Sequence, residues 1–408
     1  MKVLSLFTGA GGLDLGLEAA GFKIAGCVEI DPDARKTLKI NRPLWPQAEL
    51  GDVHAYRPAE LLETFELRPR ELAVLSAGPP CQPFSKSGYW ANGDSKRMGD
   101  PRSKTLRAVL AVARAAQPQV ILIENVAGFS YSGKDEGLDV VKNGLARINQ
   151  DFGTRYKLSV INLRAEQYGV PQKRHRLFLI AIREGTVVSA PPSTHRPDSL
   201  IESPPLTAWD AIGHLDRDDN QEVAQLGLRG KWADLVPSVP EGRNYMWHTD
   251  RGGGVPLFGW RTKYWTFLLK LAKSLPAWTI QAQAGPSTGP FHWRNRLLSI
   301  EELCRLQTLP KGYQIFGTDL SARRQVGNAV PSAIGELLGL MLATEVFGRD
   351  AYRPLSLIPK RRNDLPKPER RRPVPGKYAA LKGKHPAHPG TGLGPRAITW
   401  ANNSPEGE

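Results

Sequence analysis

Gly78-Pro79-Pro80-Cys81-Gln82-Pro83-Phe84-Ser85 sets one cysteine among three prolines. The prolines hold Cys81 rigidly on a loop just past an apolar run, where burial is not expected. A lone cysteine is more often structural than catalytic, yet a thiolate stabilised at such a place is a good nucleophile. Glu124-Asn125-Val126 closes a second apolar run and offers a carboxyl group that can act as an acid. Asn125 reads as a structural residue, fixing the Glu124 loop through backbone hydrogen bonds. Phe7-Thr8-Gly9-Ala10-Gly11-Gly12 is a glycine turn between a strand and a helix. It lacks the Gly-x-Gly-x-x-Gly spacing of dinucleotide sites, and a tight turn with no ligand is its plainer reading. Glu29, ending the next apolar run, suits two ribose hydroxyls; Asp52, after Gly51, suits an adenine amino group. The set fits an adenosine-containing ligand without a pyrophosphate.

These residues need strand tips to carry them. Short apolar runs at 2–7, 23–30, 73–77, 120–123, 158–163 and 176–182 read as strands. Helical spacing appears at 13–20, 106–116 and 332–347, and at 299–307, where Ser299 caps and Glu302 follows three residues on. The alternation predicts an α/β fold with a mostly parallel sheet covered on both faces, its ligands at the carboxyl ends of the strands. The helix at 332–347 is too apolar to stand alone and is expected to pack back on this sheet. From about residue 184 the chain turns rich in Pro, Gly and aromatics, with seven of the ten Trp between 184 and 294. That texture predicts a second, irregular domain, with Trp260 and Trp265 in its small core.

The formal charge of +15 and pI near 9.8 favour a polyanionic partner. Residues 351–408 hold 12 Lys and Arg against 4 Asp and Glu, with much Pro and Gly and almost no aliphatic clusters. This reads as a disordered tail, either a solubilising extension or a weak nonspecific DNA contact. Cys27, Cys81 and Cys304 form no Cys-x-x-Cys pair and no disulfide framework, which fits a reducing compartment. The eight His show no metal-ligand spacing, so no metal is expected. No apolar run approaches the ~20 residues that cross a bilayer, and the N-terminus is too short for a signal peptide. A soluble, cytoplasmic protein without membrane contact is expected.

Over about residues 3–340 the chain resembles the DNA cytosine-5 methyltransferases, with six blocks in the family's order. Residues 4–16 look like the cofactor turn, 78–85 the nucleophile loop and Glu124-Asn125-Val126 the acid triplet. Residues 167–176, ending Lys173-Arg174-His175-Arg176, look like the arginine block. Residues 296–310 and 325–331 match the last two. The resemblance implies a Rossmann-like, S-adenosylmethionine-dependent methyltransferase sheet with a second, smaller irregular target-recognition domain. It divides the chain into a catalytic and cofactor-binding domain at 1–183, a target-recognition domain at 184–320, a segment at 321–348 returning to the catalytic domain, and the basic tail at 349–408.

On this resemblance Cys81 adds to cytosine C6, Glu124 serves N3, Arg176 holds O2, and Arg174 helps to order Glu124. A pair of phosphate contacts is the plainer reading of the two arginines. Ile30, Val53, Pro80, Asn328 and Ala329 join Phe7, Gly9, Ala10, Gly11, Gly12, Glu29 and Asp52 in the expected cofactor set. The base must leave the stack for this chemistry, and residues 86–100 suit a closing lid. Ser85 and Ser87 are expected at the DNA, as are Arg251, before three glycines, and Arg261; residues 279–294 are a second candidate contact loop. The implied partner is double-stranded DNA, bound by a monomer, with a cognate restriction endonuclease as a candidate companion. The resemblance also admits an RNA (tRNA) cytosine-5 methyltransferase. A nicotinamide oxidoreductase lacks its dinucleotide spacing here. A DNA-binding module without catalysis would not need both Cys81 and Glu124.

Overall fold

The computed structural model describes residues 1–80, 103–126, 136–216, 226–259 and 265–382. Its centre is a six-stranded sheet in the order β2-β1-β3-β4-β7-β5. The strands are β1 (Lys2–Leu6), β2 (Lys23–Val28), β3 (Val74–Ala77), β4 (Val120–Val126), β5 (Lys157–Arg164) and β7 (His175–Ile182). β2, β1, β3 and β4 run parallel, while β7 lies antiparallel between β4 and β5. The expected strands are all present, within a few residues of their expected ends. A two-residue strand β6 (Gln172–Lys173) pairs in parallel with β8 (Ala277–Trp278) and ties the arginine block to the later chain.

Alternate residues of each central strand face opposite layers, as a period of two requires. Val3, Val74, Val120 and Phe178 join one core, with helices α1 (Gly12–Ala19) and α9 (Ser332–Glu345). Leu4, Leu6, Leu75, Ile121 and Leu179 join the other, under α3 (Pro58–Thr64), α4 (Ser103–Ala116) and α5 (Glu136–Phe152). α2 (Pro32–Asn41) follows β2 and is capped by Asp31, whose carboxylate accepts from the Asp33 and Ala34 N–H groups. As expected, α9 returns to the sheet; it crosses α1 so closely that a Cβ on Gly16 would lie 2.2 Å from the Ser332 carbonyl oxygen.

The second region has a separate core of Trp232, Leu235, Tyr245, Phe258, Phe267 and Phe291. Its flanks do not belong to it. Trp209 of α6 (Ala208–Ile212), Trp293, and the apolar residues of α7 (Ile300–Leu306) lie in the first sheet's core, although 184–320 was the expected unit. Trp265 is 42% exposed, against the expectation that it fills the small core; it packs edge-on against Trp278 at 5.1 Å. Trp260 lies outside the described residues.

Residues 349–382 correct the expectation of a disordered tail. This stretch forms an extended strap across both cores. Its start is held by Glu336 of α9, fully buried, which accepts from the Ser356 and Leu357 N–H groups. Further on, Arg362 N donates to Asp210 at 2.7 Å and Glu369 N to Glu241 at 2.8 Å. Near its end Tyr378 is buried, stacked on Trp232 at 5.6 Å, with its hydroxyl donating to the Lys231 carbonyl. Polar, Pro-rich composition conceals this because the strap's few apolar residues, among them Leu355, Leu357, Ile358, Val374 and Tyr378, are scattered and pack on cores built by other parts of the chain. Residues 383–408 lie outside the described part.

Candidate active site

The carboxyl ends of β1, β3 and β4 converge. β1 continues on one side into β2 and the chain then returns to β3 on the other, which opens a crevice at the strand ends. Gly78, after β3, sits between the other two: a Cβ there would lie 3.7 Å from the Phe7 carbonyl oxygen and 4.0 Å from Glu124 Oε2. Pro80 is exposed at the same end. Cys81, Ser85, Ser87 and the 86–100 segment lie outside the described residues. The other two cysteines, Cys27 and Cys304, are buried, and burial pushes the Cys27 thiol well up and that of Cys304 up to about 12.

The glycine turn is fastened from both sides. Gly11 has φ +75°, a left-handed conformation that suits glycine, and begins α1. Gly9 N donates to Glu29 Oε2 at 2.6 Å and Asp31 N to Glu29 Oε1 at 2.8 Å. Burial raises the Glu29 carboxyl above its ordinary value, and these N–H groups work against that shift. Each Glu29 oxygen keeps a second lone pair for another donor. The hydroxyl of Tyr313 donates to the Ala10 carbonyl at 2.9 Å, a support that no sequence signal announced. Ala329, just after α8 (Asp319–Asn328), lies over Gly12, since a Cβ there would meet Ala329 Cβ at 3.2 Å; Asn328 beside it is exposed.

Glu29 and Asp52 are brought near one another by Gly51, whose Cβ position lies 2.4 Å from the Glu29 carbonyl oxygen. Asp52 accepts from His54 N, capping a turn that buries Val53. Ile30, next to Glu29 in the chain, is 64% exposed.

Glu124 Oε1 is 2.8 Å from Arg176 Nε, with both side chains largely covered. The two are diagonal neighbours across β4 and β7, because Val126 pairs with Arg176 and Glu124 with Phe178. Asn125 is buried, and its side-chain oxygen accepts from Val126 N at 2.9 Å, as its structural reading expects. Arg174 differs from Arg176. It is 1% exposed and donates to the carbonyls of Gly327 at 2.8 Å and Ile280 at 3.3 Å. At that burial it cannot reach a phosphate; it joins the β6–β8 seam to the end of α8. Two buried amides missed by sequence reasoning extend this seam, Gln172 donating to Gln307 and Gln307 to the Val326 carbonyl.

Arg251 is exposed at the head of the Gly252–Gly254 loop. The glycines are not bare backbone awaiting a groove. A Cβ on Gly253 would lie 2.6 Å from the Trp247 ring, so this loop is shaped by packing within the second region. Arg261 lies outside the described residues. In the 279–294 segment, Phe291, His292 and Trp293 are buried, which leaves only its earlier part open to contact.

The profile of the C-5 cytosine-specific DNA methylase family matches residues 1–341. Among curated relatives, the Type II methyltransferase M.SacI of Streptomyces achromogenes is 35% identical over 367 residues, covering 83% of this chain and 91% of that protein. M.Sau96I of Staphylococcus aureus, also a Type II methyltransferase, is 30% identical over 352 residues, covering 84% and 75%. Among solved structures, an Escherichia coli prophage-encoded protein described as a DNA modification methyltransferase superposes with a TM-score of 0.61 at 21% identity, covering 86% of this chain and 100% of its own. A Spodoptera frugiperda DNMT2 mutant gives 0.56 at 17% identity, covering 84% and 99%. These superpositions bear on the fold.

Proposed function

The chain belongs to the C-5 cytosine-specific DNA methylase family, and from that premise we propose that it methylates C5 of a cytosine turned out of a short specific duplex DNA sequence. The observation that carries this reading is the convergence at Gly78, within reach of the Phe7 carbonyl and the Glu124 carboxylate, with Cys81 three residues further along the chain.

The residues around the glycine turn fit an adenosine. Space over Gly9 is open, the Glu29 oxygens retain lone pairs for ribose hydroxyls, exposed Ile30 offers an apolar face, and Asp52 follows Gly51, which lies against the Glu29 carbonyl. S-adenosylmethionine, when bound there, supplies an electrophilic methyl group. The remaining chemistry belongs to the chain. Cytosine C5 is a weak nucleophile until a group adds at C6, and a base inside the stack is out of reach. The Cys81 thiolate forms the S–C6 bond, while Glu124 gives N3 a proton or hydrogen bond as the electron pair moves toward C5. Arg176 orients Glu124 through Nε and has further N–H groups for the cytosine O2. C5, so activated, would take the methyl group as its bond to the sulfonium sulfur breaks and the neutral thioether leaves. The C5 proton passes to water, the C5–C6 double bond reforms as the S–C6 bond breaks and the thiolate leaves, and Glu124 recovers the proton it gave to N3. Arg174, deep in the β6–β8 seam, serves as a positioning residue.

Cys81→Ser tests this directly. Methylation of duplex DNA should fall at least about a hundredfold, the least that loss of a nucleophile should cost, while calorimetric S-adenosylmethionine binding persists. DNA containing 5-fluorocytosine should form a covalent adduct with the wild type alone. Retained methylation in the variant would reject Cys81 as the nucleophile, and methylation of tRNA in place of duplex DNA would redirect the substrate.

A further inference from the structure

The strap holds its cations in two different ways. Arg353, Arg362 and Lys377 are paired with Glu336, Asp364 and Asp234. Arg370, Arg371 and Arg372 are consecutive and exposed, and none has a carboxylate partner among the described residues. Three adjacent like charges repel one another, so leaving them together is unfavourable for the free protein. Their backbone is nevertheless pinned on both sides, by Glu369 N donating to Glu241 at 2.8 Å and by Arg372 N donating to the Pro237 carbonyl at 3.0 Å. The Arg371 guanidinium lies 5.1 Å from the centre of the Trp247 ring. That ring is the one around which the Gly252–Gly254 loop folds, with exposed Arg251 at its head. The second region therefore carries one cationic patch from two distant parts of the chain.

We propose that Arg370, Arg371 and Arg372 bind backbone phosphates of duplex DNA, making the strap a fixed part of the DNA-binding surface. The inference rests on the reading of duplex DNA as the substrate. Guanidinium groups match phosphate oxygens in a planar fork, and a backbone already ordered loses little freedom on binding. Such contacts hold and orient the duplex without reading its bases.

The test uses the full chain and a labelled random-sequence duplex, with affinity measured by anisotropy over a series of salt concentrations. Each lost phosphate contact lowers the slope of log affinity against log salt by about 0.9. R370A/R371A/R372A should therefore lower it by roughly 2–3, and R370K/R371K/R372K should restore most of the loss. An unchanged slope in the alanine variant overturns the proposal, as does an equal loss in the lysine variant, which would trace the effect to packing rather than charge. Bisulfite mapping of the same proteins keeps the two readings apart. A wild type that methylates no duplex cytosine fails the proposed function, whereas an active wild type with equal slopes throughout fails only this inference.

Discussion

At the residue scale, the least conventional group is Asp14. It lies in the first turn of α1, just after the glycine turn, and is buried near Ser5 of β1 and Ser76 of β3. Burial pushes its carboxyl up to about 7, against the pull of those two hydroxyls. The folded value lies above the unfolded one, so the folded protein holds this proton longer. Asp14 therefore contributes stability in full below about pH 4, and that contribution is lost as pH rises through about 7. The loss amounts to about 4 kcal/mol at about 1.4 kcal/mol per unit. Asp14→Asn keeps the shape and removes the titration. Urea midpoints from pH 4 to 8 should shift in favour of the variant as pH rises. A constant gap across that range would mean that Asp14 does not titrate there.

At the element scale, the crossing of α1 and α9 decides where the glycine turn sits. A Cβ on Gly16 would lie 2.2 Å from the Ser332 carbonyl oxygen and 2.3 Å from Glu336 N, all backbone that cannot swing aside. Helix propensity alone would make Gly16→Ala stabilising by about 1 kcal/mol. Overpacking of a closed contact costs about 1–3 kcal/mol or more and wins. Gly16→Ala should lower Tm and weaken S-adenosylmethionine binding by calorimetry, because forcing α9 off α1 also moves Val330 and Ala329 away from Gly12. Gly376→Ala, where a Cβ meets nothing, should change stability by less than about 0.5 kcal/mol. A Gly16→Ala protein that melts like the wild type would contradict the close approach.

At the scale of the whole molecule, the strap fastens the core around Trp232 to the sheet that carries Glu124. It is held to α9 by Glu336, passes Asp210 beside the first core, and ends with Tyr378 on Trp232. Ending the chain after residue 382 keeps every one of these anchors. Ending it after residue 350 removes Tyr378 and leaves the Glu336 carboxylate without its N–H donors. Losing a buried aromatic costs about 3–5 kcal/mol, so the shorter protein should melt about 5–10 °C lower, and the longer truncation should melt with the full chain. Differential scanning calorimetry of the two truncations separates them. Equal melting of both would show that the strap adds nothing to stability.

How much of this was legible beforehand depends on the range of the interaction. The places of the glycine turn, Glu29, Gly78 and Glu124 were readable, because each stands at the end of a short apolar run and a strand's end is written in the residues around it. The alternation of short apolar runs with helical stretches likewise announced a sheet covered on both faces. Arg174 and Arg176 could not be told apart in this way. They are two positions apart and chemically identical, yet one is closed in by carbonyls of Ile280 and Gly327 and the other meets Glu124. The same limit explains Trp232 inside and Trp265 outside, since an indole does not record which side its distant neighbours will take. It also explains the strap, whose composition argues for disorder until Trp232, far back in the chain, supplies a ring for Tyr378. Local chemistry and backbone preference act over a few residues and are written there. Burial of a single charged or aromatic side chain depends on partners far away in the chain, and only the folded structure brings them together.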